Sequence, residues 1–348
     1  MAPTAASEVG AGQLRALAAA LLGAAGVRPD DAAWTAELLV RADLAGHPSH
    51  GITRLADYLE AFGLGQFSPT GRPVVVRDHG STAVLDGAFA LGQVAARSAT
   101  DEAITRARSH GISCVALRRS GHIGRLADFA ERIADAGLTG LLFANGAGVH
   151  QCVAPPGGLE GRLSTNPLAF AAPRSDRPHL VFDMATSVVA GGKLRIARER
   201  GEEVPVEWGA DGVLPLIGGH KGLGLALAVE ALAGVLAGAG HVTPELASEA
   251  PIGEPQGLLV IAIEIERFLP LAEFTASLDA VAAHLADLPL APGAAPVRLP
   301  GSRASRDREG SVVLTDDARA RLDAACVRLG VEPLGKADHE TEQKGRSG

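Results

Sequence analysis

The run GLLVIAIEI, residues 257–265, constrains the fold of this chain more than any other stretch. It is apolar at almost every position, rich in β-branched residues, and too short and unpatterned for an amphipathic helix. It reads as a buried strand. ISCVALR (112–118) and LTGLLFAN (138–145) have the same character, and PVVVRD (73–78), TAVLDG (82–87), NPLAFAAP (166–173) and HLVFDMATS (179–187) add further strand-like segments. Helical patterns cover about 13–25, 30–45, 52–65, 92–109, 126–136, 188–199, 218–240, 271–286 and 316–329, the last with Thr315 as its expected N-cap.

Helices therefore dominate both ends, and strands mix with helices between them. This is not the regular β-α-β-α alternation of one long parallel sheet. The expected class is α+β, with a helical N- and C-terminal part around a central mixed α/β region. The expected divisions are a helical segment over 1–72, a central unit over 73–290, a C-terminal segment over 291–336 that packs back on the N-terminal part, and a polar, disordered tail over 337–348.

With aromatics at only 3%, Ala, Leu and Val must fill the core. Lys+Arg 32 against Asp+Glu 40 leaves a net charge of −8, which argues against a nucleic-acid or anionic-membrane surface while leaving room for small anions held by local Arg and Lys. Cys114, Cys152 and Cys326 are few and far apart, which fits a reduced, cytoplasmic setting better than a disulfide framework. The apolar run 17–27 lacks a basic region before it and is too short to span a membrane, so it reads as part of the first helix.

Polar residues gather where the apolar runs end, and three clusters stand out. In HPSHGITR (47–54), His50 has an imidazole suited to proton transfer near neutral pH, and Arg54 can clamp a carboxylate bidentately. Two solvated turn histidines fit the same letters. In GHIGR (121–125), His122 lies between glycines on a loop after a strand, free to face a cleft, with Arg125 beside it; a turn histidine bonded to backbone is the plainer reading. GGHKGLG (218–224) leads glycines and Lys221 into a helix N-terminus, which suits a phosphate, although a packed helix with a surface lysine suits the letters equally. There is no GxxxxGK[ST], no properly placed GxGxxG and no GxSxG. His47, His50, His122, His150 and His220 are available to a metal, but none has ligand spacing with a carboxylate, so no metal site is expected.

Taken in order, HPSHGITRLADY, GHIGR, STNPLAFAAP, FDMATS, GGHKGLGLAL, GLLVIAIEIERF and VRLPG resemble the malate/L-lactate dehydrogenase family of the non-Rossmann type, over about residues 10–331. That family also holds ureidoglycolate, sulfolactate and diketogulonate oxidoreductases and piperideine/pyrroline-2-carboxylate reductases. The resemblance implies a cytoplasmic homodimer that uses NADH or NADPH, with residues 73–290 as a nicotinamide-dinucleotide-binding domain that is not a Rossmann fold. The substrate implied is a small carboxylate: a 2-keto acid, a 2-hydroxy acid or a cyclic 2-imino acid. It places His122 as proton donor or acceptor, Ser49 and His50 near the nicotinamide, and Arg54 on the substrate carboxylate. Gly146, Thr165, Asn166, Pro167, Asp183, Met184, Ala185 and Lys221 match cofactor-contacting positions. Which histidine donates stays open. The chain departs from the family pattern in two loops, 209–217 and 241–256, that look trimmed. A more open site, an unusual substrate or lowered activity would follow, and so would a redox-dead binding protein or a lyase or isomerase using the same pocket.

Overall fold

The computed structural model describes residues 6–146, 151–189, 191, 194, 197, 204–209, 213–241, 255–302 and 310–335. Strand β1 (Ala6–Gly10) leads into helices α1 (Ala11–Ala24), α2 (Pro29–Leu44) and, after a 3-10 turn at Pro48–His50, α3 (Arg54–Gly63). Strands β2 (Val74–His79) and β3 (Thr82–Asp86) precede α4 (Gly92–His110), β4 (Ile112–Ser120), α5 (Ala127–Asp135) and β5 (Leu138–Asn145). The short β6 (Val153–Ala154) is followed by β7 (Leu168–Ala172), β8 (Leu180–Met184) and the short β9 (Leu214–Pro215). Helix α6 (His220–Val229) continues as a π-helix over Glu230–Leu236. Strand β10 (Gln256–Glu264), α7 (Leu271–Ala286), β11 (Ser311–Thr315) and α8 (Asp316–Leu329) complete the described chain.

Seven strands form one mixed sheet in the order β2-β3-β4-β10-β5-β7-β8. Of its neighbouring pairs only β3 and β4 run parallel. The apolar run that opens the sequence argument is β10, the middle strand, antiparallel to β4 on one side and β5 on the other. Its continuous apolarity follows from that position. Leu258, Val260 and Ala262 enter the core under α4 and α5, while Leu259 packs on the opposite face with Ala116 and Ala237. Helix α4 meets the sheet through Ala95, Ala99, Ala103 and Ala107, and Phe129 and Ile133 of α5 fill the remaining space. Small side chains on a close-lying helix account for the scarcity of aromatics.

A second core joins α1, α2, α3 and α8 through Leu14, Leu21, Leu39, Leu55 and Leu322. The two ends of the described chain meet in it. β1 pairs antiparallel with β11, from Ala6 opposite Thr315 to Gly10 opposite Ser311. Strand β1 is a finding that the residues ASEVG did not signal, because they lack alternation and their partner lies at the far end of the chain. Thr315 caps α8 as expected, its side chain accepting from the Ala318 N–H at 3.2 Å.

The expected single helix over 218–240 needs correction. It widens at Glu230, whose carboxylate turns inward to the Asn166 amide at 3.0 Å, and at Gly234, whose backbone lies against Asn145 so closely that a Cβ would fall 2.5 Å from Nδ2. The helix expected over 188–199 does not begin at Val188: residues 188 and 189 form a bend after β8, residues 191, 194 and 197 are helical, and the others lie outside the described residues. Most of the loop 241–256, residues 210–212 of the other trimmed loop, His150 and the tail 337–348 also lie outside them. Among the described residues no helix is long and apolar enough to cross a membrane.

The topology gathers loops at one edge of the sheet. Ser120 at the end of β4 pairs with Gln256 at the start of β10, Asn145 at the end of β5 pairs with Gly257, and Leu168 at the start of β7 pairs with Met184 at the end of β8. GHIGR, STNPLAFAAP, FDMATS and the start of GLLVIAIEI all leave or join the sheet at this edge.

Candidate active site

The 47–54 turn is built on a buried carboxylate. Asp43, in the last turn of α2, accepts the Ile52 N–H at 2.7 Å. Gly51 lies directly against that carboxylate, and a Cβ there would fall 2.0 Å from Oδ1, so only glycine lets the chain turn at this point. Burial pushes the Asp43 carboxyl up to about 7, against the pull of the Ile52 N–H. Clamped from beneath, the turn presents Ser49, His50 and Arg54. Ser49 and Arg54 are buried, His50 is half-buried, and His47 points into solvent.

His122 reaches the same place from the other core. The loop after β4 is pinned to the start of α4: a Cβ on Gly92 would fall 2.1 Å from the His122 carbonyl, and Gly121 N–H donates to Ala90 O at 3.1 Å. The Gln256 side chain at the start of β10 accepts the Ile123 N–H at 2.7 Å. His122 is 3% exposed. Its Nε2 lies 3.1 Å from Nδ1 of His50, with the two rings stacked at 13° and centroids 5.1 Å apart. Its Nδ1 lies 2.6 Å from the hydroxyl of Tyr58, and that hydroxyl accepts from Gln93 Nε2 at 2.8 Å. Four side chains from α3, α4 and two loops thus form one hydrogen-bonded line.

Sequence reasoning missed Tyr58 and Gln93. Tyr58 is the chain's only tyrosine and stands one helical turn after Arg54, a signal that was present. Gln93 had no local signal, because its partners come from elsewhere in the chain.

Arg54 opens α3. Its Nε donates to Ser49 O at 2.8 Å and its Nη1 lies 3.4 Å from Asp57, which holds Arg321 of α8 more closely, at 2.5 Å. The guanidinium is thereby fixed against the turn that carries Ser49 and His50. Arg125 follows the His122 loop, is buried, and lies 3.7 Å from Asp128.

The remaining expected positions form the adjoining loops. Asp183 accepts the Ala127 N–H at 2.9 Å and so meets the N-terminus of α5, directly after the His122 loop. Burial pushes it up to about 6, while that N–H and Arg125 draw it down. Met184 and Ala185 follow it, half-buried. Thr165 O accepts both the N–H and the hydroxyl of Thr186 at 2.9 Å, and Ile217 N–H donates to Thr186 O at 2.9 Å, which ties these loops to the chain leading to Lys221. Asn166 is fully buried with its amide on Ala226 O and Glu230, and Pro167 O accepts the Ala144 N–H at 3.0 Å, two residues before Gly146. Lys221, on the first turn of α6, is exposed. The side chains of Asp183 and Asn166 hold loops together, whereas that of Lys221 faces outward. Among the described residues no group of three or more His, Cys, Asp or Glu stands close enough to hold a metal ion.

A loop at the edge of the mixed sheet and a turn of the helical core thus bring two histidines into contact, with an arginine on the turn of one of them. Residues 9–313 match the malate/L-lactate dehydrogenase family, and the chain belongs to it. It is 38% identical over 319 residues to the L-lactate dehydrogenase of Cupriavidus necator, covering 84% of this chain and 89% of that protein. The structure of malate dehydrogenase from Pyrococcus horikoshii OT3 superposes with a TM-score of 0.81 at 30% identity, covering 94% of this chain and 97% of that one. The delta1-piperideine-2-carboxylate reductase of Pseudomonas syringae pvar. tomato gives 0.74 at 28%, covering 92% and 99%. This is an oxidoreductase family acting on small acids.

Proposed function

We propose that the protein is an NAD(P)H-dependent oxidoreductase that moves hydride to or from the α-carbon of a small 2-keto or 2-hydroxy acid, with a cyclic 2-imino acid as the nitrogen counterpart. The observation that carries this reading is the contact between His50 and His122, with Arg54 bonded to the same turn through Ser49 O. Reducing a 2-keto acid requires a held carboxylate, a hydride at carbon and a proton at oxygen. Arg54, oriented by Ser49 O and Asp57, holds the carboxylate, and Ser49 lines the same turn. His50 is the half-exposed ring of the pair. His122 is 3% exposed behind it, so His50 is the ring that reaches the substrate oxygen with the proton and His122 supports it. In the oxidative direction the same atoms take the proton back. Likeness to the piperideine-2-carboxylate reductase structure supports the imine substrate, whose protonated C=N would meet the same groups.

The nicotinamide, when bound, supplies or accepts the hydride. The donor set fits a dinucleotide: Lys221 is exposed at the N-terminus of α6, where helix dipole and ammonium both favour phosphate. Gly146, Thr165, Pro167, Met184 and Ala185 would line the cofactor along the same edge, with Asn166 and Asp183 holding those loops. A sheet with a single parallel pair supports a cofactor fold other than the Rossmann crevice, which needs successive parallel strands. Residues 73–290 form that cofactor unit, and the segments 1–72 and 291–336 close the other side of the site. The exposed Leu225, Leu227, Val235 and Leu236 on α6 and its π extension support a homodimer through that face. Three free cysteines support a reduced, cytoplasmic setting.

The test is a fluorescence titration with NADH and NADPH, followed by turnover with pyruvate, oxaloacetate and piperideine-2-carboxylate in wild type and His122→Ala. Binding with turnover that the variant loses is expected; absence of binding by either dinucleotide would overturn the reading.

A further inference from the structure

Asp57 is shared by two arginines, and the way it is shared bears on the charge that Arg54 offers. Arg54 and Asp57 stand one turn apart on α3, with Nη1 of the guanidinium 3.4 Å from Oδ2 of the carboxylate. The other oxygen, Oδ1, accepts from Nη2 of Arg321 at 2.5 Å. Arg321 lies on α8, near the far end of the described chain. Its neighbour Leu322 is fully buried in the helical core with Leu55 of α3, so the packing of that core delivers the arginine to Asp57. Asp317 on α8 and Glu60 on α3 also act on Arg321, but Asp57 is the carboxylate hydrogen-bonded to it. The side chain of Asp57 is 16% exposed and that of Arg54 10%, so solvent and salt screen this group only partly. Attraction between charges falls with separation, and the carboxylate sits closer to Arg321.

We propose that Arg321 is a positioning residue for substrate binding: it holds Asp57 back from Arg54, so that the Arg54 guanidinium keeps its charge for an incoming carboxylate. Arg54 holds the acid in the functional reading above, on which this inference rests. Asp57 at its present distance orients Arg54; closed upon it, the same carboxylate would compete with the substrate, since both offer the guanidinium the same chemistry. It competes whatever else surrounds Arg54. With Arg321 in place, the three side chains together carry a net positive charge. Without it, Arg54 and Asp57 cancel. The helix that packs the C-terminal segment against the N-terminal one thus tunes affinity for the acid through Asp57.

The experiment is steady-state kinetics of the full chain with a 2-keto acid and reduced cofactor, in wild type, Arg321→Gln, Asp57→Asn and the double variant, with a crystal structure of Arg321→Gln. KM for the acid is expected to rise about ten-fold in Arg321→Gln with kcat within about three-fold, because the histidine pair is untouched. In the crystal structure Asp57 should close on Arg54, to about 2.8 Å. Adding Asp57→Asn should bring KM back to within about two-fold of wild type, a rescue that a helix-packing role for Arg321 would not give. Should Arg321→Gln not fold, Asp57→Asn alone is expected to lower KM about three-fold, since Asn keeps an oxygen for Arg54 and loses the charge. An unchanged KM or an unmoved Asp57 in Arg321→Gln would overturn the proposal. So would a double variant no better than the single one, or a KM that rises in Asp57→Asn. If wild type turns over no keto or imino acid, the functional reading fails; closure of Asp57 on Arg54 in the crystal structure then upholds the hold of Arg321 on Asp57, and an unmoved Asp57 overturns that as well.

Discussion

At the scale of single residues, charges that point inward control the site. Asp43 underlies the turn that carries His50, and burial holds its carboxyl at about 7 against an ordinary 3.8. The native chain therefore binds this proton more tightly than the unfolded chain, and stability falls as pH rises from about 4 through 7. Asp43→Asn keeps an oxygen for the Ile52 N–H and cannot ionise. Urea unfolding should find it equal to wild type near pH 4 and more stable above pH 8, by up to about 4 kcal/mol. A variant less stable than wild type at pH 8 would show that the ionised carboxylate is needed. Arg54 makes the complementary prediction. Lysine keeps the charge but loses the planar fork, so Arg54→Lys should raise KM for the acid about 10- to 100-fold with a smaller change in kcat, measured by steady-state kinetics.

At the scale of elements, the two histidines meet because α4 and the loop after β4 are packed backbone to backbone. Gly92→Ala would drive a Cβ to 2.1 Å from the His122 carbonyl. It should cost about 1–3 kcal/mol in chemical unfolding and most of the turnover, by moving His122 away from His50. A fully active Gly92→Ala enzyme would mean that the contact between the rings is dispensable. Elements with strong local patterns were legible: the apolar run of β10 and the amphipathic and capped helices, including Thr315 at the start of α8, lie where their residues put them. His50 and Arg54 could be singled out as candidates for the same reason, being close in sequence and displayed by one turn. Three features were not. Strand β1 exists through pairing with β11, the π-helix through contacts of Glu230 and Gly234 with distant asparagines, and the places of Tyr58 and Gln93 in the site through His122. Each is set by tertiary contact and leaves no period in the local sequence.

At the scale of the whole molecule, the site lies where two cores touch. His50, Arg54 and Tyr58 come from the helical core closed by β1 and β11, while His122 and Gln93 come from the sheet and the helix across it. Leu91 and Val94 of the α4 start pack into the helical core, while Ala95 and Ala96 face the sheet core, so one helix joins both. The proposed homodimer would place a second joint on the exposed apolar residues of α6 and its π extension. Leu227→Glu with Leu236→Glu should convert a dimer to a monomer in sedimentation at micromolar concentration, and an unchanged mass would move the interface elsewhere. The account as a whole turns on where the hydride goes. The most direct measurement is turnover of pyruvate or oxaloacetate with reduced cofactor deuterated on the transferred face of C4, read by mass spectrometry of the product. One deuterium at the α-carbon of the 2-hydroxy acid is the predicted result. Cofactor oxidised without label at that carbon, or no oxidation with any keto or imino acid tried, would contradict it.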